Sequence, residues 1–342
     1  MTRPFGLRDL GLLWDLREQG LTLDMQRAVL WKPRPLQTAL TGLLPSRHLC
    51  STLTYVYHSA GTDGRGFVQV LTCPERQEWQ VIHLAPWRQA EPLAYTADWA
   101  GVLVDVCAMA REWGALRIRA GVAAGGPEED AFRQAGFAVY TQEEVFRLQR
   151  PPPPRRNDSG LRPVMAEDAW SLLQLVGQVV PPAVQHAEGL TVQGVSVPVL
   201  AKLGVTREQG FVLEQGTGLV AYVGLSRGAQ GAWARILLHP EVRRKAPDVL
   251  SHLVAAAWPV PVLYCAVRDY QSGLRAVLAD SGFEAGGVQA WLVKHTARPA
   301  EVRHFRQLPA LRKGKEPVTT PLHPVNDRVA VPCWQATREH GV

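Results

Sequence analysis

Four consecutive prolines, Pro151 to Pro154, divide the chain near its middle. A proline run favours a stiff polyproline II segment, and the polar residues after it, RRNDSG, are typical of a linker. The stretches on either side are each long enough for one domain. The sequence therefore predicts an N-terminal domain at 1–150, a linker at 151–159, a C-terminal domain at 160–297 and a basic, flexible tail at 298–342.

The two halves share a faint internal repeat. The pattern W-x-x-I-x-L-x-P begins at Trp79 (WQVIHLAP) and again at Trp233 (WARILLHP), 154 residues later. Further along, AFRQAGF at 131–137 recurs as VLADSGF at 277–283, an offset of 146 residues. One insertion of about eight residues after Pro86 explains the change of offset, and the matches keep the same order. These observations predict a duplicated unit.

Each half shows the same predicted order of elements: helices, three strands, a helix, a strand, a helix and a final strand pair. In the first half the three strands are the runs CSTLTYVYH, GFVQVLTC and WQVIHLA. The long helix after them is amphipathic, because apolar residues recur at spacings of 4, 3, 4 and 3 in Trp99, Leu103, Val106, Ala110 and Trp113. The strand–helix–strand crossover makes that part of each sheet parallel.

This order of elements resembles the GNAT superfamily of N-acetyltransferases in a tandem, two-copy form. The resemblance covers about 5–150 and 160–297, and it rests on the strand-Pro-loop-helix units at 79–113 and 233–258 and on the endings Gly136-Phe137 and Gly282-Phe283. It implies an α+β fold, an α/β sandwich of two domains. Each domain would have a mixed, mostly antiparallel central sheet, a parallel splayed strand pair and helices on both faces.

The resemblance also implies acetyl-CoA as co-substrate, with its pyrophosphate in a loop of pattern Q/R-x-x-G-x-G/A at a helix N-terminus. The second half has Arg243-Arg244-Lys245-Ala246-Pro247-Asp248 there, and three cations that can hold phosphates stand in for the missing glycines. The first half has Glu91 at a glycine position. We therefore expect acetyl-CoA in the second half, at Leu238, Val242, Arg243, Arg244, Lys245, Ala246 and Asp248.

Catalytic positions of the family are changed as well. The tyrosine that it often places four residues before the Gly of Gly-Phe is Phe132 in one half and Leu278 in the other, and neither can donate a proton. Where the family places a glutamate base on the strand before the loop, this chain has His83 in one half and Arg235 or His239 in the other. A neutral imidazole can act as a base near pH 7, so these histidines are the candidate catalytic residues.

The other reactive residues have predicted roles outside these motifs. His186 and Glu188 fall where the family places its acceptor-substrate helices, so they could face a substrate. The hydroxyls of Tyr270 and Tyr264 lie near the altered motif, but neither is at its position. Cys107 and Cys265 are expected to be buried apolar residues. The five cysteines form no C-x-x-C pair, so we expect no metal site and a reducing cytoplasm.

The formal charge of +6 lies mostly in the tail, since residues 295–342 hold eight Lys/Arg and four Asp/Glu. The remaining body is nearly neutral, so a nucleic-acid partner is expected only through the tail, with salt-sensitive binding. The chain has no apolar run of about 18 residues, which argues against a membrane partner. The absence of P-loop, G-x-S-x-G and H-E-x-x-H motifs leaves nucleotide hydrolase, α/β-hydrolase and zinc protease activities without support.

Two functions of different classes stay open. One is an acyl-CoA-dependent N-acyltransferase that moves an acetyl group to an unknown small-molecule or peptide amine, active in at most one half. The other is a catalytically inactive scaffold or partner-binding module, which the altered loops and the missing tyrosines favour. An open groove between the splayed strands favours the enzyme, whereas a filled groove favours the module. The oligomeric state is left open.

Overall fold

The computed structural model describes residues 2–43, 50–58, 64–73, 77–87, 92–153, 160–190, 208–216 and 218–296. These residues belong to one compact unit that runs from Met1 to Arg298. The tail expected at 298–342, linker residues 154–159 and the first-half loop up to Glu91 lie outside the described residues.

The first half contains seven strands and five helices among its described residues. In chain order they are β1 (Thr2–Pro4), α1 (Leu10–Leu16), β2 (Leu21–Thr22), α2 (Met25–Leu30), α3 (Pro35–Gly42), β3 (Ser51–His58), β4 (Arg65–Cys73), β5 (Glu78–Ala85), α4 (Pro92–Glu112), β6 (Arg117–Ala123), α5 (Pro127–Gln134) and β7 (Ala138–Gln149). Strands β3, β4 and β5 are antiparallel, and α4 carries the chain across to β6, which runs parallel to β5.

The second half repeats this order. Its described elements are β8 (Leu161–Pro163), α6 (Ala169–Val179), α7 (Pro182–Glu188), β9 (Glu208–Gln215), β10 (Gly218–Arg227), β11 (Ala232–Leu238), α8 (Ala246–Ala257), β12 (Val262–Arg268), α9 (Leu274–Asp280) and β13 (Glu284–His295). Strands β9, β10 and β11 are antiparallel, and β12 runs parallel to β11. The predicted mixed sheet with helices and a parallel strand pair is confirmed.

The apolar stripe of α4 explains why this segment is helical and where it packs. Trp99, Leu103, Val106 and Ala110 are fully buried against the first half of the sheet. The fifth residue of the predicted stripe, Trp113, is 61% exposed, because the helix ends at Glu112 and the chain turns away. The spacing therefore predicted the buried face of this helix up to its last turn.

Each half has one pair of adjacent strands in which the first strand follows one repeat offset and the second strand follows the other. In the first half Trp79 of β5 lies opposite Ile118 of β6, and in the second half Trp233 of β11 lies opposite Tyr264 of β12. The tryptophans are 154 residues apart, whereas Ile118 and Tyr264 are 146 residues apart. The structure thus aligns the halves with the same offsets as the sequence patterns.

A further match between the halves escaped the sequence analysis. Each half begins with the pattern R-P-x4-D, and its arginine and aspartate form an ion pair. The Arg3–Asp9 distance is 2.6 Å and the Arg162–Asp168 distance is 2.7 Å. Each aspartate also accepts a backbone N–H from three residues before it. The same pair of short-range contacts therefore fixes the start of both halves.

The two halves build one 13-stranded sheet rather than two separate ones. The strand order around the junction is β6-β13-β7-β12, so the last strand of each half pairs with the other half. Strand β13 lies antiparallel to β6, and β7 lies antiparallel to β12. Each half therefore ends in a single strand instead of the predicted pair, and the other half supplies the second member.

Two short helices also contact the half of the chain to which they do not belong. Leu30 of α2, a first-half helix, is fully buried against Trp233 and Ala266 of the second half. Gly189, just after α7 of the second half, lies against the Arg117 guanidinium of the first half. Because a Cβ at Gly189 would collide with this guanidinium, and its φ of 62° also suits glycine, the contact depends on this residue. Each half thus contributes one segment that packs across the junction.

The cysteines divide into two groups. Cys107 and Cys265 are free and buried, as their apolar surroundings predicted. Cys50 and Cys73 form a disulfide that joins the adjacent ends of β3 and β4, which the sequence analysis did not foresee. Among the described residues, no helix combines the length and the apolar character that crossing a membrane requires.

Candidate functional site

The parallel strands β11 and β12 separate near their carboxyl ends. Their pairing runs from Ala232 opposite Leu263 to Arg235 opposite Ala266 and stops there. Both strands continue, β11 to Leu238 and β12 to Arg268. The second half therefore has a groove between two strand edges that are not paired with each other, as the predicted splayed pair requires.

The corresponding groove of the first half is filled by the chain itself. Pairing of β5 with β6 stops at Gln80 opposite Arg119. Beyond that point β2 pairs with β5, placing Leu21 opposite Leu84 and Thr22 opposite His83. Since a peptide strand already uses this edge of β5, a pantetheine chain has no free backbone there to bind.

A cavity of about 500 Å³ lies beside the groove of the second half, between the sheet and helices α6 and α7. Part of its lining is apolar and includes Val164, Met165, Leu172, Val176, Leu190 and Leu237. The lining also carries five charged side chains, namely Glu143, Glu188, Glu208, Arg235 and Arg268. An apolar body with a few convergent polar groups is typical of a small-molecule site. Of the charged residues, Glu143 comes from the first half, on the exchanged strand β7.

A smaller cavity of about 50 Å³ continues the groove toward the start of α8. It is lined by Leu238, Arg243 and Ala246, and it shares Tyr270 and Gln271 with the larger cavity. The Arg243 guanidinium lies beside Gly273, since a Cβ on Gly273 would be 3.6 Å from its Cζ, and both residues line this smaller cavity. The two cavities therefore adjoin at Tyr270 and Gln271, and the smaller one has a cation in its lining.

The predicted phosphate loop is a 3-10 helix, Pro240–Lys245, that leads directly into α8. The backbone N–H of Ala246 already donates to the Arg243 carbonyl, and Pro247 has none to offer. Fewer N–H groups are thus free for a phosphate than in a glycine-rich loop. Of the other residues expected to bind acetyl-CoA, Val242 is buried in the core, whereas Arg244, Lys245 and Asp248 line neither cavity. Their role in binding stays a prediction.

The two candidate catalytic histidines lie away from the large cavity. His83 is buried beneath Gly20, shares a 3.3 Å hydrogen bond with the Thr22 hydroxyl and stacks on Phe67. Burial lowers the pKa of His83 to about 4, so its imidazole is neutral at pH 7. The Nδ1 of His239 accepts the backbone N–H of Glu241 at 3.4 Å, which caps the 3-10 helix.

Glu188 lies at the centre of a buried ionic network. Its Oε1 accepts hydrogen bonds from Arg268 at 2.8 Å, from the Tyr140 hydroxyl at 3.0 Å and from Arg119 at 3.5 Å. Burial alone would raise the pKa of Glu188, but Arg268 and Arg119 outweigh it and hold the pKa at about 2. His186, the other residue predicted to face a substrate, instead packs its ring 4.7 Å from that of His295.

The network continues on both sides of Glu188 and joins the halves. Arg119 binds Glu78 at 2.5 Å, and Arg268 binds Glu143 at 3.0 Å. Trp291, on the exchanged strand β13, lies within 6 Å of both guanidinium groups, at 5.6 and 5.8 Å from its ring centroid. Sequence reasoning singled out only Glu188 of this cluster, because the members come from six elements far apart in the chain.

Two tyrosines border the large cavity and differ in their partners. The Tyr222 hydroxyl donates to Glu208 at 3.0 Å, which fixes that carboxylate against β10. Burial raises the pKa of Tyr270 to about 12, so this phenol keeps its proton at neutral pH. The cavity thus brings together one carboxylate that can accept a proton and one phenol that can donate it.

Comparison with known proteins shows the fold. No family model matches the chain, and no curated protein matches it either. Among solved structures, a GCN5-related N-acetyltransferase from Sphaerobacter thermophilus is similar over 87% of this chain and 96% of its own, with 14% identity and a TM-score of 0.50. A tandem GNAT protein from the clavulanic acid biosynthesis pathway is similar over 87% and 99%, with 15% identity and a TM-score of 0.48. The chain has the fold of the GCN5-related N-acetyltransferases.

Proposed function

We propose that this chain, which has the fold of the GCN5-related N-acetyltransferases, is an acyl-CoA-dependent N-acyltransferase that works in its second half. The observation that carries the proposal is the contrast between the two grooves. Between β11 and β12 the strand edges separate beside a cavity of about 500 Å³, whereas β2 occupies the corresponding edge in the first half. The two halves thus descend, in this proposal, from one duplicated unit of which a single copy kept its substrate groove.

The residues of the groove fit an acyl-CoA in two respects. The free edge of β11 from Ile236 to Leu238 offers backbone groups to the amides of a pantetheine chain. At the groove end the Arg243 guanidinium offers charge-assisted bonds to phosphate, and Arg244 and Lys245 add positive charge nearby. The 3-10 helix offers fewer free backbone N–H groups than a glycine-rich loop, so in this site side chains would do most of the phosphate binding.

When bound, acetyl-CoA supplies a thioester carbonyl to the acceptor amine. Because His83 and His239 do not line the large cavity, we assign proton transfer to Glu208 and Tyr270. Glu208 would accept a proton from the amine, and Tyr270, at the junction of the two cavities, would donate one to the departing sulfur. A backbone N–H on the open edge of β11 would stabilise the negative charge that develops on the carbonyl oxygen.

Binding of acetyl-CoA tests the proposal directly. Thermal unfolding of the full chain is measured with and without acetyl-CoA, beside Arg243→Glu and beside Arg65→Glu, an exposed arginine at the start of β4. A ligand at about a hundred times its Kd stabilises by about 2.7 kcal/mol, a shift of several degrees. We expect this shift in the parent and in Arg65→Glu and its loss in Arg243→Glu. No shift in the parent at millimolar acetyl-CoA would refute the proposal.

The alternative, an inactive scaffold or partner-binding module, is favoured by one specific observation. The loop that the family uses for phosphate is a proline-containing 3-10 helix without glycine. If the parent shows no shift with acetyl-CoA, this module becomes the explanation of the fold, and protein partners are the next object of search. The cytoplasmic location and a nucleic-acid partner for the tail stay predictions.

A further inference from the structure

The large cavity contains polar groups that the proposed acyl transfer leaves without a role. Three residues of its lining have a buried polar atom with no hydrogen-bond partner among the described residues: Glu143 Oε1, Arg268 Nη1 and Gln271 Nε2. Glu143 is 1% exposed and Gln271 is 8% exposed. Buried polar atoms in folded proteins are rarely left unpaired, so these three define what a ligand in the cavity must offer.

The chemistry of the three atoms is of two kinds. Glu143 Oε1 is an acceptor, and it needs a donor such as an ammonium group. The N–H groups of Arg268 and Gln271 are donors, and they need an acceptor such as a carboxylate. A ligand that reaches these atoms gains affinity there only if it supplies both kinds of bond.

A fourth side chain, that of Arg235, adds positive charge to the lining of the cavity. Arg235 lines the cavity at the last paired position of β11, and it forms no hydrogen bond or ion pair with a described residue. The neighbouring Arg268 is already engaged by Glu143 and Glu188. Arg235 therefore lines the same cavity as Arg268 and Gln271 without a hydrogen-bonded partner, although its charge acts on Glu188, and its planar fork suits a carboxylate.

We propose that the acceptor of this site is an amine that also carries a carboxylate, an amino-acid-like zwitterion with an apolar body. The ammonium end lies between Glu143, which pairs with it, and Glu208, which takes the proton that the amine must lose before it attacks. The carboxylate binds Arg235 with help from Arg268 and Gln271, and the apolar body packs on Leu172 and Val176. This inference names the substrate class of the proposed function and rests on it. Because it concerns binding in a cavity that needs no acetyl-CoA, it can be tested separately.

The test measures thermal unfolding and calorimetric binding of the full chain with three amino acids, leucine, methionine and phenylalanine, and with the carboxamide of each. We expect at least one amino acid to bind, and its carboxamide to bind about 10- to 100-fold more weakly, which is the usual effect of losing a charged hydrogen-bond partner. Arg235→Gln should abolish this difference. Arg147→Gln, at an exposed arginine on β7, should keep it.

Three results would overturn the inference: equal binding of acid and carboxamide, unchanged discrimination in Arg235→Gln, or no binding of any of the three amino acids at 10 mM, far above a typical substrate KM. The same preparations are tested with acetyl-CoA. If acetyl-CoA binds and the amino acids do not, the inference fails while the proposed function stands. If the amino acids bind and acetyl-CoA does not, the proposed function fails and the cavity is a binding site only.

Discussion

Removing the charge of Glu188 should destabilise the protein strongly at neutral pH and hardly at all in acid. The network around this carboxylate holds its pKa at about 2 against an ordinary value of 4.5, since Arg268 and Arg119 outweigh the effect of burial. A difference of about 2.5 pKa units corresponds to about 3 kcal/mol. Because the pKa is lowered in the folded state, this stabilisation is present above about pH 4.5 and is lost as the pH falls toward 2.

The assay is urea unfolding of the parent and of Glu188→Gln between pH 7 and pH 2. The free energy of unfolding of the variant should be lower by about 3 kcal/mol at pH 7, and the gap should narrow toward pH 2, where the parent carboxyl is about half protonated. Acidic groups outside the network titrate equally in both proteins, so the gap reports on Glu188 together with Glu78 and Glu143, which share Arg119 and Arg268 with it. As a control, Glu284→Gln, at an exposed pair with Arg147, should change stability by about 0.5 kcal/mol or less. A gap below 1 kcal/mol at pH 7, or one that does not change with pH, would refute the reasoning.

Three other changes have defined outcomes. Tyr270→Phe should lower kcat about 100- to 10,000-fold and leave acetyl-CoA affinity unchanged, because only proton donation is lost; an unchanged kcat would remove Tyr270 from the mechanism. Reduction of the Cys50–Cys73 disulfide, which spans 23 residues, should lower the free energy of unfolding by about 3 kcal/mol in urea, and a Cys50→Ser/Cys73→Ser variant should no longer respond to reductant. Chains 1–153 and 154–342 should aggregate when expressed apart and copurify when expressed together, because β7 and β13 each complete the other half; a monomeric, cooperatively unfolding chain 1–153 would contradict the exchange.

Elements whose own side chains decide their structure could be predicted from the sequence. The stripe from Trp99 to Ala110 predicted α4 and its buried face, and the order of strands and helices predicted the parallel pairing of β5 with β6 and of β11 with β12. The same order of strands and helices predicted the groove between β11 and β12. In each case the pattern is local, so one segment contains the information that fixes it.

Features that depend on a choice between similar partners could not be predicted. Strands β7 and β13 occupy equivalent places in the two halves, so either could pair with β6. The backbone ladder is the same in both cases, and nothing in the two strand sequences selects the exchanged partner. The filled groove of the first half was equally hidden, because the two residues of β2 carry no recognisable strand pattern.

The candidate site was predicted in part for the same reason. Leu238 and Arg243 follow from the position of one motif, and both line the small cavity. Glu143 and Arg268 lie 125 residues apart in sequence and meet only because β7 pairs with β12. When a strand of the other half contributes a side chain to a site, the local sequence around that site gives no indication of it.

The position of β13 also determines when this protein can fold during its synthesis. The edge of β6 is exposed by residue 123, but its partner at 289–295 lies about 170 residues further along the chain. At about 5–20 residues per second, the ribosome needs about ten to thirty seconds to deliver that partner. Throughout this interval the place that β13 takes on β6 stays open to other strands, including β7 and strands of other nascent chains. The order of the strands therefore makes the last segment of the folded body, rather than the first domain boundary, the point at which folding of the nascent chain is completed.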